Sequence, residues 1–110
     1  MKKFCYTLDL KDNKKSKEKY IEYHKNIWPE IINSLKDSGI VKAEIFNVET
    51  RLFLIFETNE NFSEKNKKKL DDNNPIVQKW EQLMSKYQRK LPFSKPNEKW
   101  VKMDKIFEFQ

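Results

Sequence analysis

The chain has 110 residues, of which 37% are hydrophobic, 36% charged and 14% aromatic; that suits one compact domain with an aromatic-rich core and is too short for two. The net charge of +6 comes from lysine, with Arg51 and Arg89 the only arginines, so sequence-specific reading of DNA is disfavoured and the lysines read as a solvated surface. Cys5 is the single cysteine, and no apolar run follows Lys2 and Lys3 or reaches the roughly 20 residues that span a bilayer; an internal disulfide, a cysteine metal cluster and a membrane span drop out, and a cytoplasmic protein is expected.

In chain order, "KKFCYTLDL" sets Phe4, Tyr6, Leu8 and Leu10 against Cys5, Thr7 and Asp9, the period-2 pattern of a strand with one apolar face. The polar "KDNKKS" follows, with Ser16 or an earlier residue capping a helix. From Lys17, residues Tyr20, Tyr23, Ile27, Trp28, Ile31, Ile32 and Leu35 recur at helical spacing up to Gly39. Pro29 removes a donor inside this run, so a kink or two short helices is expected, with Pro29 opening the second.

"VKAEIFNV" and "LFLIFET", separated by "ETR", read as an antiparallel hairpin. The polar "NENFSEKNKKKLDDNNP", anchored only by Phe62 and Leu70, reads as a solvated helix or loop. After Pro75 the residues Ile76, Val77, Trp80, Leu83, Met84 and Tyr87 return to helical spacing. "LPFSKPNEKW" is a proline-containing loop, and "WVKMDKIFEF" alternates as a last strand.

The order β, α, β, β, α, β over residues 1–110 predicts an α+β, ferredoxin-like split β-α-β domain with a four-stranded antiparallel sheet. Helices on one face leave an apolar face open, and a homodimer is expected to cover it. Gly39 is the sole glycine, which excludes glycine-rich nucleotide fingerprints.

For chemistry, Tyr20 and His24 are four residues apart on one helix face. His24 is the only histidine and lies in the last turn before the break, where the helix dipole favours a charged imidazole able to give up a proton. From the spacing alone two readings stand: such an acid, or an ordinary partly buried histidine with a satisfied hydrogen bond. One histidine and one remote cysteine make a zinc site a poor fit, and Cys5–His24 nucleophilic catalysis requires the two to be adjacent. Trp28 and Trp80 read as core or as platforms for a sugar ring. Asp9, Glu44 and Glu81 are the carboxylates to consider as a base.

The run "YIEYHKNIWPEI", then "LKDSGI", "RLFLIFE" and "VQKWEQLM" in this order, resembles the L-rhamnose mutarotase family, small cofactor-free aldose anomerases, some of whose lysine-rich relatives are L-fucose mutarotases. The most specific part is carried by Tyr20, His24, Ile27, Trp28, Pro29 and Glu30. The resemblance implies a dimeric α+β barrel with no cofactor and no metal. It implies that His24 is the acid, that Tyr20 contacts the sugar, and that Trp80 is the first member of a Trp-Trp pair whose second position here is Glu81. A sugar-contacting tyrosine of the second strand matches Ala43. The expected partner is a 6-deoxy sugar, L-rhamnose or L-fucose, bound by Tyr20, Trp28, Trp80 and Glu81, with neither nucleic acid nor membrane. The rival readings are a non-catalytic dimeric sugar-binding module and a cofactor-independent monooxygenase on the same barrel.

Overall fold

A computed structural model describes all residues from 1 to 110. Strand β1 (Lys2–Leu10) leads into helices α1 (Lys14–Lys25) and α2 (Pro29–Asp37), then the hairpin β2 (Ile40–Val48) and β3 (Arg51–Thr58). Helices α3 (Glu64–Asp72) and α4 (Pro75–Ser85) follow, and then two short strands, β4 (Gln88–Arg89) and β5 (Val101–Met103). The sheet runs β2-β3-β1, with β4 and β5 both on the remaining edge of β1 and every pair antiparallel. This is the ferredoxin-like α+β architecture expected from the element order, with the fourth strand position shared by two short pieces.

Local chemistry explains the elements. Asn13, earlier than Ser16, caps α1 by accepting from the Ser16 amide at 2.8 Å. The proline break yields two helices: Pro29 takes the first turn of α2, where its missing N–H costs nothing. Asn74 caps α4 in the same way ahead of Pro75. The polar segment forms α3, and Lys67 and Lys68 pair along it with Asp71 and Asp72 at 2.5 and 2.9 Å.

Gly39 ends the α2 connection at φ +98°, where a Cβ would lie 2.9 Å from Asn59 Oδ1, so both conformation and space require glycine. Immediately after it the β2–β3 register shifts between Ile40 and Lys42, leaving Val41 as an extra residue. That bulge lets Ile40 turn into the core while Lys42 turns outward.

Residues directly opposite across the sheet share a face. Leu8 with Leu52 and Tyr6 with Leu54 face the helices. The core there joins Leu10, Tyr20, Ile31, Leu52, Val77, Trp80 and Met84, with a second cluster of Ile40, Leu54, Phe56 and Phe62. The opposite face carries Cys5 with Ile55 and Met103, and Thr7 with Phe53 and Val101, and no helix covers it. Phe46, the β2 partner of Phe53, is 52% exposed.

The last strand is shorter than its alternation predicts. It stops at Met103, and Ile106, Phe107 and Phe109 remain 95%, 79% and 87% exposed. The alternation is a strand signal, but a strand forms only where the chain offers a face to bury those side chains.

Candidate active site

Helices α1 and α4 bring the aromatic residues together. The Tyr20 and His24 rings stack with centroids 4.4 Å apart, and the Trp80 ring meets His24 edge-on at 5.4 Å. Trp28, at the start of α2, contacts Trp80 edge-on at 5.1 Å. Tyr23 also meets Trp80 edge-on, at 6.3 Å. Trp80 is only 6% exposed, so most of its area is core. Trp28 is half-buried.

His24 Nδ1 lies 2.8 Å from the Tyr20 carbonyl oxygen. A carbonyl only accepts, so Nδ1 carries the proton and the lone pair of the neutral ring is on Nε2. Burial lowers the imidazole pKa below its ordinary value, partly offset by the bond to the Tyr20 carbonyl. The shift runs against the charged imidazole expected at the helix end: desolvation by burial favours the neutral ring. The acceptor of the neutral His24 ring is then Nε2.

Tyr20 is buried and its phenol stays neutral across the physiological range. Burial pushes its pKa up, the Gln88 amide opposes this, and the Glu81 carboxylate adds to the rise. Glu81 is thus close enough to act on Tyr20, and it is held by Lys99: Nζ lies 2.9 Å from Glu81 Oε2 and donates to Ser85 Oγ at 3.0 Å.

The other candidates lie elsewhere. Asp9 faces the open side of the sheet, bound by Arg51 at 2.7 Å and Arg89 at 3.4 Å. Glu44 is exposed on the same side and pairs with Lys42 at 3.6 Å. Cys5 shares that side, so the sheet separates it from the helices that carry His24. Ala43 is opposite Phe56 on the helix-facing side of β2 and is exposed. An open depression of about 530 Å³ along α3, lined by Ser63, Lys65, Asn66, Lys68, Lys69, Asp72 and Asn73, has neither an aromatic side chain nor a histidine. No three metal-binding side chains cluster anywhere.

Lys99 and Gln88 were not legible from the sequence. Both follow the helix whose spacing drew attention to Trp80, and neither belongs to a periodic pattern.

The pKa shift of His24 has a definite sign. Its folded value lies below the unfolded value of about 6.5, so neutral His24 contributes stability that is fully present above that pH and lost as pH falls through the depressed folded value. NMR titration of the single imidazole is expected to give a midpoint below that of free histidine. Thermal unfolding of the wild type should fall more steeply with acid than that of His24→Gln; parallel profiles would contradict the shift.

The sequence pattern of the L-rhamnose mutarotase family matches residues 3–109. An L-fucose mutarotase of Xanthomonas campestris pv. campestris is 37% identical over 109 residues, covering 97% of this chain and 87% of that protein. The crystal structure of an L-rhamnose mutarotase from Formosa agariphila superposes with a TM-score of 0.72 at 25% identity, over 100% of both chains. Tetracenomycin F2 cyclase of Streptomyces glaucescens shares the fold alone, with a TM-score of 0.70 at 10% identity over 100% of this chain and 98% of that one. With the family pattern spanning nearly the whole chain and its Tyr20–His24 pair seated against Trp80, the protein belongs to the L-rhamnose mutarotase family.

Proposed function

We propose that the protein is a mutarotase that interconverts the α and β anomers of a 6-deoxy-hexose, L-fucose or L-rhamnose. The observation that carries this reading is His24 itself, a neutral imidazole with a fixed tautomer, packed over Tyr20 and met edge-on by Trp80. Ring opening requires the anomeric hydroxyl to lose a proton and the ring oxygen to gain one. Both oxygens are bonded to C1, so one nitrogen can reach each in turn.

Nε2 takes the hydroxyl proton, the C1–ring oxygen bond breaks as the aldehyde forms, and the imidazolium returns the proton to the departing ring oxygen. Rotation about C1–C2 and the reverse steps close the ring on the other face. His24 therefore gives up its proton to the ring oxygen, as the resemblance implies, but begins as a base. The neutral Tyr20 hydroxyl donates to a sugar oxygen, Trp80 and Trp28 offer apolar edges to the ring, and Glu81 binds a hydroxyl by a charge-assisted hydrogen bond. The chemistry calls for no metal or cofactor.

Saturation-transfer NMR between the anomeric signals of L-fucose and of L-rhamnose tests the reading. Exchange faster than in buffer is expected for at least one sugar, and exchange at the buffer rate for both would sink it.

We further propose a homodimer formed through the open face of the sheet. Phe46, Phe53, Ile55, Val101 and Met103 make an apolar centre there. It is bounded at one end by the row Arg51–Asp9–Arg89 and at the other by Lys42 beside Glu57, the apolar centre and polar rim of a protein interface. We assign the reaction to the cytoplasm, a reading supported by the single free cysteine; no helix is long and apolar enough to cross a membrane.

A further inference from the structure

Gln88 is a buried polar side chain whose hydrogen bonding is incomplete. It is 8% exposed, opposite Leu10 on the helix-facing side of the sheet. Its Nε2 lies 3.5 Å from the Tyr20 hydroxyl, and its Oε1 is buried with no partner. A carboxamide left half-satisfied costs free energy that an apolar side chain of the same shape would not. Packing alone gives no reason for glutamine at this position.

The reason lies in the Tyr20 phenol. It holds a single proton, so the direction of its O–H depends on what its oxygen meets. An amide N–H pointing at that oxygen turns the O–H away, free for a ligand. The carboxamide oxygen, were it to face Tyr20, would take the O–H instead and leave nothing for the sugar.

We propose that Gln88 is a positioning residue that aims the Tyr20 O–H into the site, donating from Nε2 to the phenol oxygen so that the hydroxyl proton is presented to a sugar oxygen beside His24. This rests on the mutarotase reading. The 3.5 Å separation is long for a hydrogen bond, and contacts of this kind shorten when substrate completes the site. The orphaned Oε1 is the cost of keeping the amide in the useful orientation.

The two natural substitutions pull apart. Gln88→Met keeps the shape without polarity and leaves the Tyr20 O–H undirected. Gln88→Glu keeps the shape but offers only an acceptor to the phenol while ionised, which consumes the O–H.

The experiment measures kcat and KM for anomer exchange in wild type, Gln88→Met, Gln88→Glu, Tyr20→Phe and the Tyr20→Phe/Gln88→Met double variant. Gln88→Met is expected to lower kcat/KM about tenfold, the usual worth of one hydrogen bond, and Gln88→Glu to lower it further. The double variant should be no slower than Tyr20→Phe, because Gln88 acts only through Tyr20. A packing role would instead give losses that add.

A second readout needs no sugar. In protein labelled at tyrosine ¹³Cζ, the Tyr20 signal, assigned by its loss in Tyr20→Phe, should shift in Gln88→Met or, if methionine does not pack, in Gln88→Glu. An unmoved Tyr20 signal, additive losses, or Gln88 variants as fast as an active wild type would overturn this proposal and leave the mutarotase reading standing. A wild type that exchanges anomers at the buffer rate would overturn both.

Discussion

Replacing His24 with alanine is expected to remove about 10²- to 10⁴-fold of the anomer exchange, the usual contribution of a positioned general acid–base group. The loss should be near the upper end, because none of the other acid–base candidates can stand in. Asp9 and Glu44 face the far side of the sheet, and Glu81 is already paired with Lys99. The fold should survive, since His24 is half-buried on a helix and its side-chain hydrogen bond goes to the Tyr20 carbonyl within that helix. His24→Gln is the sharper control: it is uncharged and cannot titrate. Both variants should keep wild-type circular dichroism while exchange, read by saturation transfer, falls in kcat with little change in KM. Wild-type exchange in either one would remove His24 from the mechanism.

The second large effect concerns assembly. Phe53→Asp is expected to turn the proposed homodimer into a monomer. Phe53 lies between Phe46 and Thr7 in the central row of the open face, and a two-fold axis would put two introduced carboxylates, one from each protomer, into the interface. Desolvating an unpaired carboxylate costs several kcal/mol even after relaxation, comparable with what holds many small dimers together. In the single chain the same side chain stands on a face no helix covers, so folding should be affected little. Sedimentation velocity at micromolar protein should show the mass of one 13.5 kDa chain for the variant and twice that for the wild type. A monomeric wild type, or a variant that stays dimeric, would refute the interface.

How far the sequence carried the reading depended on whether the deciding force was local. The alternation Phe4, Tyr6, Leu8, Leu10 and the break at Pro29 are backbone matters, and the first strand and the two helices follow them. The Tyr20–His24 stack was legible because the helical repeat alone fixes it.

The protonation of His24 was not. The helix-end field belongs to α1, whereas burial depends on what the rest of the chain packs around the ring, Trp80 of α4 included. The Lys99–Glu81 pair joins residues 18 apart across a proline-containing loop, and no periodicity records such a closure. The tail after Met103 carries strand alternation but finds no surface in its own chain to bury it. Two residues of β4 are too few to leave any pattern.

The bulge at Val41 has a bearing on how the protein keeps apart from its neighbours in a crowded solution. From Val41 to Glu49 the chain is exposed, and β2 pairs with β3 alone, so its outer row of amides and carbonyls is a template on which a stray strand could grow. The extra residue breaks the even spacing of that row near its start and increases the local twist. Lys42 and Glu44 then place opposite charges just beyond it. Deleting Val41 is expected to straighten the border into the flatter kind on which strands add, so the irregularity that seats Ile40 in the core also roughens an exposed edge.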